Sequence, residues 1–126
     1  MDTKYLTIVL LENIRFEELI TKIERVFHIS LPFKNEKGRL VAKVETKYFT
    51  IKVIDRYDDL SELLCDEHHI LELTFQHNFP LDYVENENHI KKILKNSIKW
   101  EYGIWSPVKI GEPYRRIFPN KQTEVS

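Results

Sequence analysis

The sequence predicts a single α+β domain, with helices packed on a mostly antiparallel sheet and the element order β-α-β-β-β-α before an ordered tail. Three observations predict it. Four short stretches are rich in β-branched and aromatic residues, and three of these alternate apolar with polar, as a half-buried strand does. Two longer stretches repeat apolar residues at three- and four-residue steps, as an amphipathic helix does. The 126 residues are enough for one hydrophobic core and too few for two. The domain is expected to span residues 1–120, with residues 121–126 disordered.

Residues 4–11 open the chain with Tyr5, Leu6, Ile8, Val9, Leu10 and Leu11. So apolar a run predicts a central strand covered on both faces. Asn13 is placed to cap a helix in which Phe16, Leu19, Ile20, Ile23, Val26 and Phe27 share one side. Glu18 and Lys22 stand four apart on the other side, acid before base. Pro32 ends this region, and the run Asn35, Glu36, Lys37, Gly38 reads as a polar turn.

Two strands then follow, at residues 39–46 and 48–55. Leu40, Ala42 and Val44 face inward in the first, and Phe49, Ile51 and Val53 in the second. The short join at Thr46 and Lys47 predicts an antiparallel hairpin. One apolar and one charged face predict a sheet covered on one side. In residues 57–67, Leu60, Leu63 and Leu64 have the spacing of a short helix or ordered loop. A strand at residues 69–77 points Leu71, Leu73 and Phe75 inward, and Asn78, Phe79 and Pro80 break it.

A second helix is expected over residues 85–100, capped by Asn86 or Asn88. Ile90, Ile93, Leu94 and Ile98 form its apolar stripe, and Lys91, Lys92, Lys95 and Lys99 its solvent face. Glu85 and Glu87 at its start and lysines towards its end suit the helix dipole. The tail holds Trp105, Tyr114 and Phe118, so it is expected to pack on the domain, with an edge strand near residues 108–110.

Several chemistries are excluded by composition. Gly38, Gly103 and Gly111 are too scattered for a phosphate-binding loop, which removes nucleotide cofactors of that kind. The single cysteine, Cys65, can form no internal disulfide and no cysteine-based zinc site. It follows Leu64 in an apolar stripe, the place of a small core residue rather than a nucleophile. His28, His68, His69, His77 and His89 show no paired metal-ligand spacing. The acidic segment has leucines where a calcium loop needs oxygen ligands and a central glycine. No catalytic residue, metal or cofactor is therefore assigned. The start of the chain reads as a strand, not a leader, no run is long enough for a membrane span, and a lone thiol suits the cytoplasm.

Charge is the informative property. Residues 1–54 carry ten Lys/Arg and seven Asp/Glu, a net of +3. Residues 55–87 carry one Arg and ten Asp/Glu, a net of −9, and residues 88–126 return to +5 with eight and three. An acidic middle draws a basic partner and speeds association. Asp55, Asp58, Asp59, Glu62, Asp66 and Glu67 are the expected partner-binding residues.

The size, the opening strand at residues 5–11 followed by a charged amphipathic helix, and the acidic segment at residues 55–67 resemble the small immunity proteins of bacterial toxin–immunity systems. The likeness is greatest to those of contact-dependent growth inhibition, and it covers most of residues 4–120. Members share no catalytic motif and use several folds, so no residue's role is carried over. The resemblance implies cytoplasmic neutralisation of a cognate toxin domain, typically a nuclease, by blocking its active site.

The alternative is a small nucleic-acid-binding module using Lys91, Lys92, Lys95, Lys99, Arg115 and Arg116 beside Tyr114 and Phe118. The slightly negative net charge weighs against it. A homodimer through a sheet edge or the tail is a third reading.

Overall fold

A computed structural model describes residues 2–47, 49–56, 68–77 and 82–126. Along the chain these form β1 (Asp2–Leu10), α1 (Phe16–Phe27), β2 (Phe33–Glu36), β3 (Arg39–Glu45), β4 (Thr50–Ile54) and β5 (Ile70–His77). Then come α2 (Tyr83–Leu94), β6 (Trp100–Ser106), β7 (Arg115–Ile117) and β8 (Glu124–Val125). The described strands make one antiparallel sheet in the order β2-β3-β4-β5-β1-β6-β7-β8. The fold is α+β, as the sequence predicts.

β1 is central, paired with β5 on one side and β6 on the other. Its even residues Leu6, Ile8 and Leu10 are fully buried. Leu6 lies between Leu73 and Trp105, and Ile8 between Leu71 and Gly103. Phe16, Leu19, Ile20 and Ile23 of α1 and Ile90 and Leu94 of α2 close over this face in one apolar cluster. Gly103 suits this close packing: a Cβ would stand 3.1 Å from both Ile117 Cγ1 and Ile8 Cγ1, so those side chains would have to give by a few tenths of an ångström.

The opposite face corrects one expectation. The apolar opening run predicts cover on both sides, yet both described helices lie on the even-residue side, and Tyr5 is 36% exposed. Val9 instead joins a row across the sheet, Val41, Ile54, Ile70, Val9 and Tyr102, of which Val41 is buried and the others are half-buried.

The hairpins follow from local chemistry. Lys37 and Gly38 both take positive φ, 54° and 89°, as a two-residue β-hairpin turn requires. Asn35 Oδ1 accepts from the Gly38 N–H at 2.7 Å. The predicted turn is present, but β2 before it, all of it exposed, goes beyond the expectation. The β3–β4 hairpin is as predicted: Thr46 N–H and Oγ1 both donate to the Phe49 carbonyl, at 2.8 and 2.7 Å.

Helix limits differ from the pattern. α1 starts at Phe16 with Arg15 at the cap and no side-chain cap bond, so Asn13 does not cap it. It ends at His28 in the left-handed region. Lys22 pairs at 2.5 Å with the buried Glu12 rather than with Glu18. α2 is capped by Asp82, whose Oδ1 accepts from the Glu85 N–H at 3.0 Å, not by Asn86 or Asn88. It stops at Leu94, and Asn96 turns the chain at φ 66°. Trp100, expected on the helix, opens β6 instead, because its indole enters the core beside β1.

The tail is ordered as expected, but by different strands. Residues 108–110 form none; β7 and β8 do. Residues 121–126, expected disordered, include β8, and Tyr114 and Ser126 exchange both backbone hydrogen bonds at 2.8 and 3.0 Å. The expected helix at residues 57–67 and the break at residues 78–80 lie outside the described residues.

Candidate functional site

The described charged residues include an internal cluster and a lysine-lined groove. The cluster joins β1, α2, β6 and β7. Glu87 of α2 is 2% exposed. Its Oε2 accepts from Arg115 Nε and Trp105 Nε1, each at 2.8 Å, and its Oε1 accepts from Arg115 Nη2 at 2.8 Å. This is a two-pronged fork, the strongest carboxylate–guanidinium geometry. The hydrogen bond to Glu87 raises the pKa of Arg115 above its ordinary value, against the opposing effect of burial. The Arg115 guanidinium also lies 5.3 Å from the Tyr83 ring centroid.

Beside it, the buried Lys4 Nζ reaches both oxygens of Glu112 at 3.1 Å and the Pro107 carbonyl at 2.5 Å. The Tyr83 hydroxyl donates to Glu112 Oε2 at 3.3 Å, and the Lys109 N–H to Oε1 at 3.2 Å. The Lys4 hydrogen bond, foremost, holds the Glu112 carboxyl below the ordinary carboxylate range. A recess of about 270 Å³ adjoins the cluster, lined by Lys4, Tyr83, Trp105, Glu112 and Arg115 among others. Every carboxylate oxygen here is already engaged by a donor. That arrangement clamps the tail to α2 and β1 and leaves no carboxylate poised as a general base.

The C-terminal end of β1 and the residue after it are bonded to a different segment on each side. The Leu10 N–H donates to the His69 carbonyl at 3.0 Å and the Leu11 N–H to the Lys99 carbonyl at 2.9 Å. On the His69 side, β4 and β5 are joined through residues 55–69. The base of that connection is held firmly. The Asp55 N–H donates to the Leu40 carbonyl at 3.0 Å, and the Arg56 N–H to His69 Nδ1 at 3.2 Å. His69 is fully buried, with Nε2 2.9 Å from the Ile14 carbonyl. The neutral ring with its proton on Nε2 satisfies both bonds. Burial lowers the pKa of His69 below 6.5, outweighing the upward pulls of the Ile14 bond and of Asp55.

Asp55 stands apart from the other expected partner-binding residues. It is 7% exposed, with Oδ1 3.4 Å from His69 Nδ1, so its carboxylate belongs to the interior of the fold. Asp58, Asp59, Glu62, Asp66 and Glu67 lie outside the described residues, as does Cys65. In the chain they fall between Arg56 and His68, so the two ends of their segment are tied to adjacent central strands.

On the Lys99 side is an open groove of about 600 Å³. Lys91, Lys92, Lys95 and Lys99 line it, with Leu11, Asn96, Trp100 and Asn120. Arg115 and Arg116, which the alternative reading adds to these lysines, are elsewhere. Arg115 is committed to Glu87. Arg116 pairs across to Ile104 on the helix-free face and stacks 5.0 Å over Tyr102. Of the tail aromatics, Trp105 is buried in the core, while Tyr114 is 64% exposed.

Among the described residues, no group of three or more His, Cys, Asp or Glu is placed to hold a metal ion. No described helix is long and apolar enough to cross a membrane. Glu87 and Lys4 were legible as inward-facing. Glu87 shares the stripe of Ile90 and Leu94 at steps of three and four, and Lys4 shares the parity of Leu6 and Ile8. Compared with known proteins, the chain matches no family model, no curated protein and no solved structure.

Proposed function

We propose that the chain works by binding a protein partner, as an immunity protein does when it neutralises a toxin domain by covering its active site. The observation that carries this reading is a segregation of charge. Residues 57–67 hold five carboxylates and no Lys or Arg, and the segment is hung between two adjacent central strands. The residues at its two ends are tied together, the Arg56 N–H to the buried His69, and His69 to the Ile14 carbonyl. A fixed origin lowers the ordering cost of association. A basic, phosphate-binding cleft of a nuclease is the complementary surface, and the cytoplasm is the compartment where such a toxin must be stopped.

The test is a pull-down from the native host with this chain as bait. The reading expects the C-terminal domain of a large exported protein, toxic when expressed alone and harmless when this chain is co-expressed. Asp58→Lys with Asp59→Lys and Glu62→Lys should abolish that protection. Protection by the triple variant equal to wild type would move the interface away from the acidic segment.

A further inference from the structure

The lysine groove is a charge feature independent of the toxin reading. Its lining residues include four lysines and no carboxylate. Among the described residues, none of Lys91, Lys92, Lys95 and Lys99 makes an ion pair, and Lys92, Lys95 and Lys99 are exposed. Four unpaired ammonium groups around one recess repel one another and raise the local positive potential, although the chain as a whole is slightly acidic. The C-terminal end of α2 offsets only part of that charge, because a helix terminus supplies about half a negative charge.

We propose that this groove binds the phosphate backbone of single-stranded nucleic acid without reading its bases. Three features select that ligand. Lysine holds phosphate as a compact point charge. The one aromatic residue in the lining, Trp100, is 4% exposed, so no ring is offered for base stacking. The lining comes from α2, the turn after it, Leu11, Trp100 and residues 119–120, and only Trp100 belongs to a strand, so the groove is not a strand edge to which an acidic peptide could add its backbone groups. A recess also suits one flexible strand better than a duplex, which is read by an element protruding into its groove.

The experiment is fluorescence anisotropy of a labelled single-stranded oligonucleotide of mixed sequence, titrated with the intact protein. With a slope of about −0.7 for each phosphate neutralised, four lysines give about a 50-fold loss of affinity between about 50 and about 200 mM salt. The combined variant Lys91→Gln, Lys92→Gln, Lys95→Gln, Lys99→Gln should abolish binding. These positions are on or near the surface, and glutamine keeps helix propensity. A control removing two cations from the far side, Lys34→Gln with Lys43→Gln, should bind as wild type. Equal affinity for oligo-dT and oligo-dA supports backbone recognition. Absence of binding at low salt, full binding by the quadruple variant, a strong base preference, or competition by polyglutamate as effective as by oligonucleotide would each overturn the proposal.

Discussion

The two halves of α2 put charge to opposite uses. At its N-terminal half, Glu87 is enclosed and forked by Arg115, with Lys4, Tyr83 and Glu112 completing the cluster. At its C-terminal half, Lys91 and Lys92, with Lys95 and Lys99 beyond the helix, line a groove whose described lining holds no carboxylate. The first half tethers the tail to the domain. Charge compensated inside a protein serves the fold, whereas charge left uncompensated at a concave surface is available to a ligand.

Removing Glu87 should produce the largest effect. Glu87→Ala leaves a partly buried guanidinium and an indole N–H unpaired, and should cost roughly 3–5 kcal/mol in urea unfolding. Lys92→Gln, one turn further along the same helix, should stay within about 0.5 kcal/mol of wild type. Equal losses at the two positions would erase the contrast. The pairing itself can be isolated with Glu87→Ala, Arg115→Ala and the double variant, where a coupling of about 0.5–3 kcal/mol is expected. Additive losses would mean that each residue acts through packing alone.

A smaller effect concerns pH. His69 is held neutral by burial and its folded pKa lies below 6.5, so the unfolded chain takes up the proton first as pH falls. Stability should therefore be full above about pH 6.5 and decline below it as pH falls towards the folded pKa. His69→Gln should flatten that decline in thermal melts between pH 7 and pH 5, a window set by the ordinary histidine value. Glu112 acts in a lower window. Its depressed pKa adds stability that persists above the ordinary carboxylate range and is lost as pH falls through its folded value. An unchanged profile in His69→Gln would show that this ring does not govern the acid limb.

Much of the fold was legible because it depends on local period. The stripe Phe16, Leu19, Ile20 and Ile23 and the alternation Leu71, Leu73 and Phe75 are both buried as their spacing predicts. What was missed depends on distant partners. Trp100 continues a helical pattern, and only pairing with β1 makes it the start of a strand. Residues 121–126 are polar apart from Val125, and their order comes from pairing with Tyr114, Arg115 and Arg116 in β7 and its approach. The inward position of Glu87 could be read from its stripe, but Arg115, 28 residues away, could not be named as its partner. The lysines were visible as a row, but the separation of Arg115 and Arg116 from them required the sheet.

The most direct test of the central claim, that the acidic segment steers a protein partner onto this chain, is the association rate with the captured partner domain. Stopped-flow rates should be compared for wild type and for Asp58→Lys with Asp59→Lys and Glu62→Lys across a salt series. Electrostatic steering predicts a rate for the variant at least about 10-fold slower at low salt, with the two converging as salt rises. Equal rates at every salt concentration would contradict the claim.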